Sequence, residues 1–216
     1  MNKLSVLYSL FKNIKDATDK KGEFKMEVLL DSVVKMSGQA TIKCTDGKVE
    51  KQVDVQCGEE KYHFEYQGSK CCGGGFHHHM MHKHHEHGGY KEKIAKIMFA
   101  LKMLNMLKLK EDAMQKYLSL NVNYADLPQE FQGHLKEKQC CANSENAEHN
   151  KFHKLFNKEC CDIDHSTIVP ETLGINMVLD ANCSPQSIDV SVQMNGQTTE
   201  NISKIIELKL MGTLNC

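Results

Sequence analysis

Two separated stretches of this chain alternate apolar and polar residues with a period of two, and that alternation limits the possible fold more than any other feature. In the first stretch Phe24, Met26, Val28 and Leu30 alternate with Lys25, Glu27 and Leu29. Ala40, Ile42 and Cys44 alternate with Thr41, Lys43 and Thr45, and Tyr62, Phe64 and Tyr66 with His63 and Glu65. Val49, Val53, Val55 and Cys57 share a parity that only Lys51 interrupts. In the second stretch Ile175, Met177 and Leu179 alternate with Asn176, Val178 and Asp180, and Ile188, Val190, Val192 and Met194 with Asp189, Ser191 and Gln193. Ile202, Lys204, Ile206, Leu208 and Leu210 complete that set. Successive side chains of a strand point to opposite faces, so both stretches read as antiparallel meanders with one buried face. Asp46-Gly47 and Asn195-Gly196 are hairpin signals, and Asn182 to Pro185 reads as a turn. Cys44 and Cys57 fall on the apolar parity and are expected as small core residues. Cys183 is expected to be either exposed or linked.

Helical periodicity fills the rest. Leu4, Leu7, Tyr8, Phe11 and Ile14 predict an amphipathic helix over residues 2–18, packed on the sheet by that face. Attachment to a membrane surface is the other reading of such a helix. Ile94, Ile97, Met98, Leu101, Leu104 and Leu107 predict a helix within 90–121, with a second beginning at Glu111-Asp112 and carrying Met114, Tyr117 and Leu118. Met98, Met103, Met106 and Met114 would be core or would line an adaptable groove. Residues 129–138 and 144–158 also read as helical. The expected fold class is α+β: a curved antiparallel sheet of about seven strands, an N-terminal helix and a central helical Cys/His-rich insertion. The boundaries are 1–70 for the helix and first meander, 71–170 for the insertion and 171–216 for the second meander. Both strand sets would close into one layer of a single domain.

This order of helix, meander, helices and meander resembles the periplasmic lipoprotein-carrier (LolA-like) fold over most of the chain. The resemblance implies a curved sheet holding a hydrophobic groove under helical lids, and hence an apolar ligand, a lipid or a peptide. It rests on element order and on no motif, so no functional residue is carried over. The Cys/His insertion departs from that pattern and would serve as a structural clip or lid there.

The insertion holds the candidate ligands. Cys71 and Cys72 precede three glycines, then His77, His78, His79, His82, His84, His85 and His87, with Met80 and Met81 inside the run. Imidazole, thiolate and thioether bind zinc, nickel, copper and cobalt. A second cluster is Cys140-Cys141 and Cys160-Cys161, with His149 and His153 at i,i+4 between them and His165 following Asp162 and Asp164. Imidazoles four residues apart share a helical face. Vicinal cysteines close a strained ring if they pair with each other, so each pair could give one sulfur to each of two centres. The Cys-x-x-Cys spacing of a zinc ribbon is absent. The bland alternatives are a low-complexity polar loop for the His run, and a solvated helix face with packed thiols for the second cluster.

Composition narrows the function further. All 27 basic residues are lysine, balanced by 28 acids, so no net field and no arginine fork recruits nucleic acid. No run of eighteen apolar residues and no signal-like segment is present, which reads as cytoplasmic, or as exported if a leader has been removed. The cysteines then read as reduced thiols before disulfides. No Gly-x-Ser-x-Gly, His-Glu-x-x-His or phosphate loop points to catalysis. The sequence therefore predicts a protein that stores, buffers or delivers a transition metal ion (zinc, nickel or copper), with metal ions and a metal-receiving protein as partners; catalysis is the lesser reading, and redox chemistry through the Cys pairs would be its form. The alternative is a carrier or binding module for an apolar ligand.

Overall fold

A computed structural model describes residues 2–69, 90–127 and 163–215, with the backbone alone for 69, 90–97 and 164–166. Helix α1 (Lys3–Asp16) is followed by strands β1 (Lys20–Leu30), β2 (Val33–Thr45), β3 (Lys48–Cys57) and β4 (Glu60–Ser69). Helix α2 (Tyr90–Met106) leads into β5 (Lys108–Glu111) and β6 (Gln115–Asn123), and a 3-10 turn follows at Tyr124–Asp126. Strands β7 (Ile163–Asp180), β8 (Pro185–Thr198) and β9 (Ser203–Asn215) complete the described chain. Among the described residues nine strands form one antiparallel sheet, in the order β4-β3-β2-β1-β9-β8-β7-β6-β5. The two meanders meet where β1 pairs with β9, from Lys21↔Asn215 to Leu30↔Ile206. One layer from two strand sets is as expected.

Register carries the period-two pattern across every strand. Val28 stands opposite Met36 and Leu208, Met36 opposite Cys57, Leu208 opposite Val192, Val192 opposite Leu173 and Leu173 opposite Val122. Directly opposed residues share a face, so one face of the sheet is apolar from β3 to β6. The other face carries residues such as Lys25, Gln39, Asp54, Lys209, Ser191 and Asn121. The apolar face is packed in two places. Val28, Met36, Val55, Cys57, Ile163 and Ile206 form one buried cluster. Val6 and Leu10 of α1 form the second with Leu118, Leu179 and Cys183. Cys44 and Cys57 are buried, as their parity requires.

Several expectations are corrected. The sheet has nine strands where about seven were expected. Residues 108–123 form a hairpin, not a second helix: Leu118 and Val122 are buried while Tyr117 and Asn121 are exposed. Asp112, expected to start that helix, instead closes the β5–β6 turn, its Oδ1 accepting from Met114 N at 2.8 Å and Gln115 N at 2.7 Å. Met114 is exposed and outside the core. Asn195-Gly196 lies inside β8, paired with Ile205 and Lys204. The turn falls at Thr198 to Ile202, with Asn201 left-handed at φ 61. Asp46-Gly47 is a hairpin turn as read, at φ 48 and 77. Cys183 is neither exposed nor linked: it is buried and free at φ 66, beneath α1.

Helix α1 also packs by a different face. Asn2 caps its N-terminus, accepting from Ser5 N at 2.8 Å. Val6 and Leu10 are buried, and Leu7 and Ile14 pack beside them. Leu4, Tyr8 and Phe11, expected to face the sheet, point to solvent. Asn13 Nδ2 fixes the rotation by donating to Asn182 O at 2.8 Å.

Candidate functional site

Of the candidate metal ligands, Cys71, Cys72, His77, His78, His79, His82, His84, His85, His87, Cys140, Cys141, His149, His153, Cys160 and Cys161 lie outside the described residues. His165 has its backbone in β7. The helical readings of 129–138 and 144–158 lie outside the described residues as well. Among the described residues, no group of three or more His, Cys, Asp or Glu side chains is arranged to hold a metal ion.

The strands do determine where the two ligand-rich segments attach. β4 ends at Ser69, opposite Lys48 beside the β2–β3 turn. That end of the sheet also carries Lys20, Asn215 and Pro185. The second segment runs between the end of β6, where Asn123 pairs with Thr172, and the start of β7, where Ile163 pairs with Thr198. Those pairs belong to the other end, with Leu30, Ile206 and Cys57. A ten-residue strand such as β3 spans about 30 Å. Ser69 and Ile163 therefore stand at opposite ends of the sheet. Ile163 anchors the second segment in the core: it is buried, and a Cβ on Gly196 would stand 2.9 Å from its Cγ2.

A charged cluster that the sequence reading passed over lies on the polar face. His63 Nδ1 is 2.6 Å from Asp54 Oδ1, and its Nε2 is 3.0 Å from Glu65 Oε1. The hydrogen bond to Asp54 foremost, then that to Glu65, raises the His63 pKa above its ordinary 6.5. A carboxylate beside each ring nitrogen favours the protonated ring over the neutral one. The signal was in the register, because Asp54 stands directly opposite His63. An open cleft of about 640 Å³ adjoins it, lined by Lys25, Glu27, Ser37, Gln39 and Lys61 among others.

Between its two packed clusters the apolar face is only half-buried. Phe24, Met26, Leu210, Val190, Ile175 and Leu120 all fall in this class. Phe24 lies against Gly22 of its own strand and Gly212 of the neighbouring β9.

No family model and no curated protein matches the chain. Among solved structures, the dehydratase domain of RzxB from Pseudomonas fluorescens aligns over 96% of this chain and 83% of its own, at 6% identity and a TM-score of 0.16. A likeness that slight carries no argument about fold or function.

Proposed function

We propose that this protein binds transition metal ions, to store, buffer or deliver zinc, nickel or copper. The observation that carries the reading is the donor set: seven imidazoles within residues 77–87, and two vicinal thiol pairs flanking His149 and His153. Neutral imidazole and thiolate are the donors such ions prefer. Among the described residues, the nine strands pair with one another, and of these donors only His165 has its backbone in a strand. The imidazole run would bind loosely and release ions readily, while the charged thiolates would hold an ion more tightly. Metal analysis of protein purified without a metal-affinity step, followed by calorimetric titration of the apo form, tests this. Stoichiometric binding tighter than millimolar is expected; substoichiometric metal with only millimolar affinity overturns it.

A second reading, a carrier for a lipid or other apolar ligand, draws on the half-buried strip of Phe24, Met26, Leu210, Val190, Ile175 and Leu120. An apolar surface of that kind is where such a ligand would lie. Native mass spectrometry with solvent extraction tests it, and a protein that carries no extractable ligand and takes up none is the opposing result.

A further inference from the structure

The helices carry a feature that neither metal binding nor the sheet accounts for. On α1, Leu4, Tyr8 and Phe11 are 62%, 71% and 67% exposed. They sit at i, i+4 and i+7, one stripe of the helix, on the side away from buried Val6 and Leu10. Lys12 and Lys15 are exposed beside that stripe in the last turns. On α2, Met98 and Leu101 are 61% and 50% exposed, and the exposed Lys102 lies next to them. The two helices adjoin: Lys3 Nζ donates to Leu104 O at 3.4 Å, and Leu107 packs in the cluster of Val6 and Leu10. Both are cationic. Together they hold seven lysines against Asp16 and Glu92, in a chain whose net charge is −1. Exposed Lys12 and Lys15 thus lie beside the large apolar side chains that α1 exposes.

We propose that the outer faces of α1 and α2 dock this protein on an anionic lipid bilayer. Exposed Leu and aromatic side chains beside lysines suit the headgroup boundary: the apolar groups enter the acyl edge while ammonium groups pair with lipid phosphates and carboxylates. A neutral protein partner would leave the lysines unmatched, and two copies of this surface would oppose like charge to like charge. The proposal is independent of metal binding and of any ligand on the sheet.

The test is co-sedimentation of the full chain with phosphatidylcholine vesicles, with and without phosphatidylserine. The protein is expected to sediment with the anionic vesicles, less so at high salt and little with neutral ones. Leu4→Ser/Tyr8→Ser/Phe11→Ser should weaken partitioning at least about tenfold, with the thermal melt retained because these side chains are already in water. Lys12→Glu/Lys15→Glu is a second variant whose folding is not at risk, and it should weaken binding to anionic vesicles alone. Absence of binding to anionic vesicles, or unchanged binding by the charge-reversed variant, overturns the proposal. So does a wild-type dimer that the triple serine variant converts to monomer without any vesicle binding, since the occupant is then a second copy.

Discussion

The ring of Phe24 on β1 covers the backbone of Gly212 on β9, where the two meanders join. The two residues stand directly opposite, and a Cβ built on Gly212 would overlap Phe24 Cδ1. A Cβ on Gly22 would stand 2.6 Å from Phe24 Cε2. Gly212 across the seam and Gly22 on the same strand thus make room for one aromatic ring.

Gly212→Val should therefore destabilise the protein by about 1–3 kcal/mol through overpacking, read from urea unfolding. Phe24→Ala should relieve the clash, so the double variant should lose less than the sum of the two single variants. Strict additivity would show that the ring can move aside freely.

Adjacent residues on α1 should behave oppositely. Leu10 is 4% exposed and Phe11 67%. Leu10→Ala should cost about 2–5 kcal/mol, and Phe11→Ala no more than about 0.5 kcal/mol. The reverse order in chemical denaturation would mean that the helix packs by the face its sequence first suggests.

His63 should give stability a pH dependence. Its folded pKa is raised by Asp54 and Glu65, above the ordinary 6.5. The imidazolium therefore stabilises the fold fully below that ordinary value, down to the carboxylate range, and the contribution is lost as pH rises through the folded pKa. The stability difference between wild type and His63→Gln should be largest near pH 5.5–6 and shrink toward pH 8, about the range where histidine titrates. A difference that is flat in pH would mean the cluster is screened out by solvent.

The two ligand-rich segments should be separable, because a glycine-led loop rarely supports a fold. Deleting His77 to His87 should lower metal stoichiometry and leave the melting temperature nearly unchanged. Replacing Cys140, Cys141, Cys160 and Cys161 by Ser should also lower stability, by several kcal/mol, because a structural site couples binding to folding. Cobalt substitution should show thiolate charge-transfer bands that this second variant lacks. Equal and small stability losses from both variants would return the Cys pairs to ordinary packing.

The parity of the strands was legible in the sequence. Alternation is set residue by residue, and the observed register preserves it from β3 to β6. The same signal existed for β6, where Leu118, Leu120 and Val122 alternate with Ser119 and Asn121. It was obscured by the helical spacing of Met114, Tyr117 and Leu118. Cys183 resisted prediction because its burial depends on α1 lying over the Asn182–Pro185 turn, 169 residues away in sequence from the Asn13 that bonds there. None of the sixteen candidate ligands has its side chain among the described residues, so their grouping still rests on residue type and spacing.

Helix α1 shows where local pattern stops deciding. Leu4, Val6, Leu7, Tyr8, Leu10, Phe11 and Ile14 leave it apolar on more than one side, so periodicity predicts a helix and cannot choose its face. The choice came from tertiary contacts, with Leu118, Leu179 and Cys183 enclosing Val6 and Leu10 and with Asn13 bonded to Asn182. Sequence determined the helix, the strand parities and the clustering of Cys and His, because each depends on neighbours a few residues apart. The tertiary structure decided which apolar residues are covered and which face water, because burial depends on surfaces that only the assembled sheet brings together.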